Sequence, residues 1–136
     1  MNLLVVGFLA LVLGGCGTYY LGSYREEISA NQRGLSKLQL RMSSQEVRST
    51  MGEGEIINYK RLYLVDPWRS ESFSLVDGEE ALILFYVTQP PRKYYSPQDN
   101  ELTPIVLENG AVVGWGWSFL KSNSDRYRIS QPRQQW

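Results

Sequence analysis

Histidine is absent from this chain, and cysteine occurs once. The first absence removes the commonest general base and the commonest metal ligand, and with them any Ser–His–Asp or Cys–His arrangement. A lone cysteine can form no internal disulfide and no thiolate cluster for zinc. A surplus of charge is missing too, since 14 Lys and Arg balance 14 Asp and Glu. Nucleic-acid binders usually carry a basic excess, because phosphate neutralisation supplies much of their affinity, so the balance argues against a nucleic-acid partner. The sequence also lacks a Gly-rich phosphate loop, a metal-ligand cluster and a nucleophile motif. The expectation is a protein that is not an enzyme and uses neither cofactor nor metal. Asp66, Asp77, Glu79, Glu80, Asp99 and Glu101 are available carboxylates. No spacing forces two of them together, and acids in turns are usually solvated.

What is present begins with an apolar run, Leu3 to Leu13, reading LLVVGFLALVL. At about 1.5 Å per residue a helix of this length covers only about half of a bilayer core. It has the length of a signal-peptide hydrophobic region. Leu13, Gly14, Gly15 and Cys16 follow, and resemble a lipobox: an aliphatic residue, two small residues, then the cysteine that accepts a diacylglyceryl group. The leading Met1-Asn2 lacks the usual Lys or Arg. The expected organisation is a lipoprotein signal peptide over 1–15, a lipidated tether over 16–22, an α+β domain over 23–120 and a polar basic tail over 121–136. Removing 1–15 leaves enough chain for one modest core. Acyl chains on Cys16 would contribute about 0.8 kcal/mol per buried methylene, enough to anchor the chain when more than one is present. Gly17 in place of Asp points to the outer membrane and its periplasmic face.

Within the mature chain, residues Ser23 to Leu40 read as helical, with Ile28, Leu35 and Leu38 near one face. Asn31-Gln32-Arg33-Gly34 weakens the middle and predicts a break. Ser43 and Glu46 form a capping-box pair, with Met42 and Val47 placed for a hydrophobic staple. Gly52 closes a short helix over Ser44 to Met51. The apolar period then shifts to two: Ile57, Tyr59, Arg61, Tyr63 and Val65 alternate with Asn58, Lys60, Leu62 and Leu64, which predicts a first strand. Arg69 to Val76 is a further strand or a loop, and Asp77-Gly78 is a turn signal.

Ala81 to Thr88, ALILFYVT, is apolar on both sides and should be a central strand covered on both faces. Gln89 to Asn100 holds three prolines and reads as an exposed loop. Asn109-Gly110 between apolar runs predicts a tight hairpin, because both residues tolerate positive φ. The second run continues to Leu120, with Trp115 and Trp117 on one face and Gly114 and Gly116 opposite. Glycine there permits something bulky, such as a helix, to approach the backbone. From Lys121 the chain is polar and basic, a frayed tail or a docking segment.

Met42-Ser43-Ser44-Gln45-Glu46-Val47 through Met51-Gly52 resembles the "GM[ST]xxEVxxxxG" helix of the small outer-membrane lipoproteins of the BamE/SmpA/OmlA-like group. Leu84 to Gln89, Leu102 to Leu107, and Glu108-Asn109-Gly110 through Gly116 resemble the "LFYRTQ", "TPLVF" and "GxLVGWG" stretches of an uncharacterised lipoprotein relative. These stretches cover about half of the mature chain. Arg41 departs from the pattern, standing where that group has glycine. The resemblance implies an α+β fold with two N-terminal helices packed on an antiparallel sheet of three to four strands. It also implies an envelope protein partner and a role in outer-membrane assembly or integrity. Trp68, Tyr94, Tyr95 and Trp136 are the candidate partner-binding aromatics, since such side chains give much contact area at low entropic cost. The alternative is a secreted inhibitor-like or small-ligand-binding lipoprotein with a β-lactamase-inhibitor-like fold, in which the loop Gln89–Asn100 enters a groove.

Overall fold

A strand that is apolar at almost every position must be covered on both sides, and Glu80–Val87 (β4) is such a strand. The structure, a computed structural model, describes residues 26, 28–53, 56–59, 62–91 and 97–127. The order of elements is a helix over residues 28–35 (α1), helix Ser44–Met51 (α2), strands Ile56–Tyr59 (β1), Leu62–Val65 (β2), Arg69–Ser74 (β3) and β4, then a 3-10 turn Asp99–Glu101, strands Leu102–Glu108 (β5) and Ala111–Trp115 (β6), and helix Trp117–Ser122 (α3). β3-β4-β5-β6 form a four-stranded antiparallel meander. The expected α+β class with an antiparallel sheet is what the chain adopts.

The alternation along β4 divides the core in two. Ala81, Ile83, Phe85 and Val87 join Leu102, Val106, Leu120 and Tyr127 in one apolar cluster. Leu84 and Tyr86 join Val47, Met51, Ile105, Leu107 and Val112 in another. Successive strand residues point to opposite faces, so α2 covers one face and α3 with the segment after it covers the other. Met42 and Val47 pack in the same cluster, as a staple should. The capping box forms as read: Ser43 Oγ accepts from the Glu46 N–H at 3.2 Å, and Glu46 Oε2 accepts from the Ser43 N–H at 2.7 Å. These bonds hold the Glu46 carboxyl below its ordinary pKa.

Several expectations are corrected. The break at Asn31–Gly34 does not occur, because residues 28–35 form one helix, and that helix stops short of Leu40. Gly34 is needed for packing: a Cβ there would lie 2.7 Å from Met51 Sδ and 3.0 Å from the Thr50 carbonyl oxygen of α2. The single strand over Ile57 to Val65 is a hairpin, β1 paired with β2, forming its own two-stranded sheet. Tyr59 and Leu62 are partners, so the apolar period runs through the two joining residues without revealing the reversal. The strand after Asn109-Gly110 ends at Trp115. Gly116 takes φ +86°, and α3 begins at Trp117. Trp115 therefore packs with the α2-side cluster and Trp117 with the α3-side cluster, not on one face. The anticipated bulky neighbour of Gly114 is the Phe119 ring of α3.

The edge strand β6 is sealed by the turn before α2. Arg41 N–H donates to the Val112 carbonyl at 2.8 Å, Val112 N–H donates to the Met42 carbonyl at 2.9 Å, and Ser43 bridges to Ala111. Arg41 has φ +72°, the left-handed region that favours glycine, at the position where the resembling group has glycine. The Asn109-Gly110 hairpin takes φ +48° and +78°, as its sequence requires.

Candidate functional site

The described polar interior gathers where β4 ends. Val87 is the last residue of the central strand and Thr88 follows it, and their carbonyls need donors where pairing runs out. α1 supplies them. Asn31 Nδ2 donates to the Val87 carbonyl at 2.9 Å and to Asp66 Oδ1 at 3.2 Å, and Gln32 Nε2 donates to the Thr88 carbonyl at 2.8 Å. Ile28 belongs to the α3-side cluster and Leu35 packs on the α2-side cluster, so α1 passes from one side of the sheet to the other across this end. Asn31 is fully buried, and Asp66 is 6% exposed. Asn31 Oδ1 and Asp66 Oδ2 are buried without a hydrogen-bond partner.

A second layer lies beside it. Arg69 Nη1 pairs with Asp99 Oδ1 at 2.5 Å and its Nε with Glu71 Oε1 at 3.1 Å, while the guanidinium sits 4.0 Å above the Phe85 ring. Phe85 and Trp117 meet with ring centroids 5.9 Å apart. Trp117 Nε1 donates to the carbonyls of Asp99 and Leu102 at 3.1 and 2.9 Å. The Glu101 carbonyl accepts the N–H groups of Thr88 and Gln89, and its carboxylate accepts the Gln98 N–H at 2.9 Å. Asp66, Asp99 and Glu101 are therefore buried structural acids and not the solvated turn acids that the sequence implied. In the loop Gln89–Asn100, Gln89, Pro90 and Asn100 are exposed as read, whereas Pro97 and Asp99 are buried.

At the opposite end of the sheet, Arg126 fastens the segment after α3. Its Nε and Nη2 reach Glu108 at 2.6 and 2.9 Å, and its Nη1 reaches Asp77 at 2.8 Å. The buried Tyr127 donates its hydroxyl to Glu108. The guanidinium holds the carboxyls of Asp77 and Glu108 below their ordinary pKa. Burial, then the bond to Glu108, raises the Tyr127 hydroxyl. The first part of the basic tail is thus docked and not frayed. A shallow cleft of about 290 Å³ remains between Phe73–Val76 and Ser124–Tyr127.

Of the residues singled out from sequence, Trp68 is half-buried against the α3-side cluster, and its backbone N–H donates to the Phe85 carbonyl at 2.8 Å. Cys16, Tyr94, Tyr95 and Trp136 lie outside the described residues. Asn31, Gln32 and Arg69 were missed. A signal existed for Asn31: it falls in the same helical stripe as Ile28, Leu35 and Leu38, where a buried amide must find partners. Among the described residues no group of three or more Cys, Asp or Glu could hold a metal ion, and no helix is long and apolar enough to cross a membrane.

A family profile described as "Protein of unknown function (DUF3192)" matches residues 22–122. The chain belongs to the DUF3192 family. No curated protein and no solved structure matches it. The DUF3192 region runs from before α1 to the last residue of α3, so it includes the polar end of the sheet and excludes Arg126 and Tyr127.

Proposed function

We propose that this chain is a non-enzymatic lipoprotein of the cell envelope, held by lipid on Cys16 at the periplasmic face of the outer membrane. Its domain acts as a protein-binding accessory in outer-membrane assembly or integrity, in the manner of the BamE/SmpA/OmlA-like group. The observation that carries the reading is Leu13-Gly14-Gly15-Cys16 directly after an uncharged apolar run and ahead of the DUF3192 region. The fold lends support through its capped helix α2 and antiparallel meander, which follow in the order the resemblance implies. Buried Asp66 and Asp99 add to it: Asp66 is tied to α1 through Asn31 and Asp99 to β3 through Arg69, a use suited to a binding scaffold.

Intact-mass analysis of the membrane fraction tests the anchor. The expected product starts at Cys16 and carries acyl chains, and Cys16→Ser loses both the lipid mass and the membrane residence. A protein that keeps Met1, carries no lipid and stays in the soluble fraction overturns the reading. Crosslinking in intact envelopes tests the role. A specific envelope protein crosslinked to the domain is the expected result, and repeated recovery of none removes the accessory role.

A further inference from the structure

The two edges of the main sheet are finished differently. The β6 edge is closed by the turn Arg41–Ser43. β3 forms the other edge, and among the described residues no strand pairs with its outer side. The phase of the ladder says which groups stand there. Leu75 N–H donates to the Glu79 carbonyl at 2.8 Å, and Asn109 N–H donates to the Glu80 carbonyl at 2.8 Å, so Leu75–Glu79 is a hydrogen-bonded pair and Glu80 turns to β5. Such pairs alternate along an antiparallel ladder. Arg69, Glu71 and Phe73 therefore turn their backbone N–H and C=O groups to β4, and Ser70, Ser72 and Ser74 turn theirs outward. All three serines are exposed. Edges of this kind are usually blunted by lysine, proline or a bulge. β3 has none of these: its register is regular, and its one cation, Arg69, is engaged by Asp99 and Glu71. Two further features mark the same edge. Residues 69–80 carry four acids, Glu71, Asp77, Glu79 and Glu80, against one base, whereas the chain as a whole is balanced. Val76, fully exposed, stands just past the strand on the rim of the cleft between Phe73–Val76 and Ser124–Tyr127.

We infer that the outer edge of β3 is a docking site for an extended, basic segment of a protein partner, which adds to the sheet as a fifth strand. The inference deepens the protein-binding reading above and rests on it. A row of outward N–H and C=O groups that leaves water needs another extended backbone to bond, and main-chain bonds of this kind give affinity while side chains give specificity. Short serine side chains keep the approach on the α2 side open. Lys or Arg in the segment meets the acids of the β3–β4 hairpin, which turn away an acidic segment. An apolar side chain near one end can reach Val76 and the cleft. β3 lies inside the DUF3192 region and the tail after Tyr127 lies outside it, which favours a partner over the chain's own end as the occupant.

The test reads amide exchange, residue by residue, in the purified full-length chain in detergent. The probe is the end-capped peptide Lys-Thr-Val-Thr-Val-Thr-Lys. In the free protein Ser70, Ser72 and Ser74 should exchange fast, while Glu71 and Phe73, bonded to β4, exchange slowly. With peptide in excess the three serine amides should slow by roughly tenfold or more. A Glu-flanked version should protect less, and added salt should narrow the difference. An added strand bonds through every second N–H, so of two versions N-methylated at alternate residues one should lose binding and the other keep it. Ser72→Pro removes the central outward N–H and leaves the bonds to β4, so it should abolish protection of Ser70 and Ser74; the N-methylated pair decides the matter without any change to the protein. Serine amides already slow in the free protein overturn the inference, since the edge is then taken by the chain's own residues or by a second copy. So does an edge that stays fast with every peptide, or equal protection by both N-methylated versions. An envelope protein crosslinked to a domain whose β3 edge is inert keeps the accessory role and removes only this site, and no outcome here depends on lipid at Cys16.

Discussion

Replacing Gly114 with alanine should destabilise this protein, although the same change on an open strand would help it. Gly114 sits opposite Val106 in the β5–β6 ladder, and a glycine inside a strand costs about 0.5–1 kcal/mol relative to alanine. A Cβ at this position would lie 2.7 Å from Phe119 Cγ and closer still to Cδ2 and Cε2, whereas ordinary contact begins at 3.4 Å. The ring packs against the Tyr127 ring at 5.9 Å and against the cluster under α3, so making room for a methyl costs it those contacts. Overpacking of this kind costs about 1–3 kcal/mol. The net loss expected for Gly114→Ala is therefore about 1–2 kcal/mol, or roughly 5–15 °C in Tm for a domain of this size. Urea denaturation should show a lower midpoint with an unchanged slope. The decisive measurement is a double-mutant cycle. Phe119→Ala alone should cost about 2 kcal/mol, given that the ring is only half-buried. In that background Gly114→Ala should become neutral or stabilising, a coupling of about 1–3 kcal/mol. An equal loss in both backgrounds, or a gain in the wild type, refutes the docking of α3 on β6.

Other perturbations read other parts of the argument. Asn31→Ala strips donors from the Val87 carbonyl and from buried Asp66, so it should cost about 2–4 kcal/mol in thermal or urea unfolding. Arg41→Gly relieves a left-handed backbone and should be neutral or up to about 1 kcal/mol stabilising, whereas Arg41→Val at the same φ should be clearly destabilising by the same assay. The Arg126 clamp should be acid-labile. Asp77 and Glu108 are lowered from 3.8 and 4.5, so their contribution is complete above those values and is lost as pH falls through the lower folded ones. Amide exchange at Tyr127 should accelerate as pH drops below about 4 relative to the intrinsic rate, and Arg126→Gln should abolish that dependence.

The parts of the fold that could be read from sequence are those carried by adjacent residues. Ser43 and Glu46 are three apart and cap each other, Asn109 and Gly110 are neighbours that both accept positive φ, and Ala81–Val87 announces double coverage through its own composition. The misread parts depend on something outside the window. Lys60 and Arg61 are not turn residues by composition, and a two-residue reversal between paired Tyr59 and Leu62 preserves the alternation on both sides, so the hairpin looked like one strand. Trp117 continued a strand pattern only until Gly116 took φ +86°, a value that the sequence permits and does not demand.

The polar end of the sheet shows why site residues were harder still. Asn31 bonds to residues 35 and 56 positions away, and Arg69 to one 30 away, so no local spacing could pair them. Asn31-Gln32 looked like a helix breaker because amide side chains compete with the backbone for hydrogen bonds. Here that competition is directed at a different strand: the amides satisfy the carbonyls where β4 runs out, and the helix loses nothing by it. The same bonds tie α1 to Asp66, and Asp66 is where the β1–β2 hairpin ends. One buried amide thus links α1, the last residue of the central strand and Asp66, the residue that follows β2, three segments that no local pattern in the sequence could have joined.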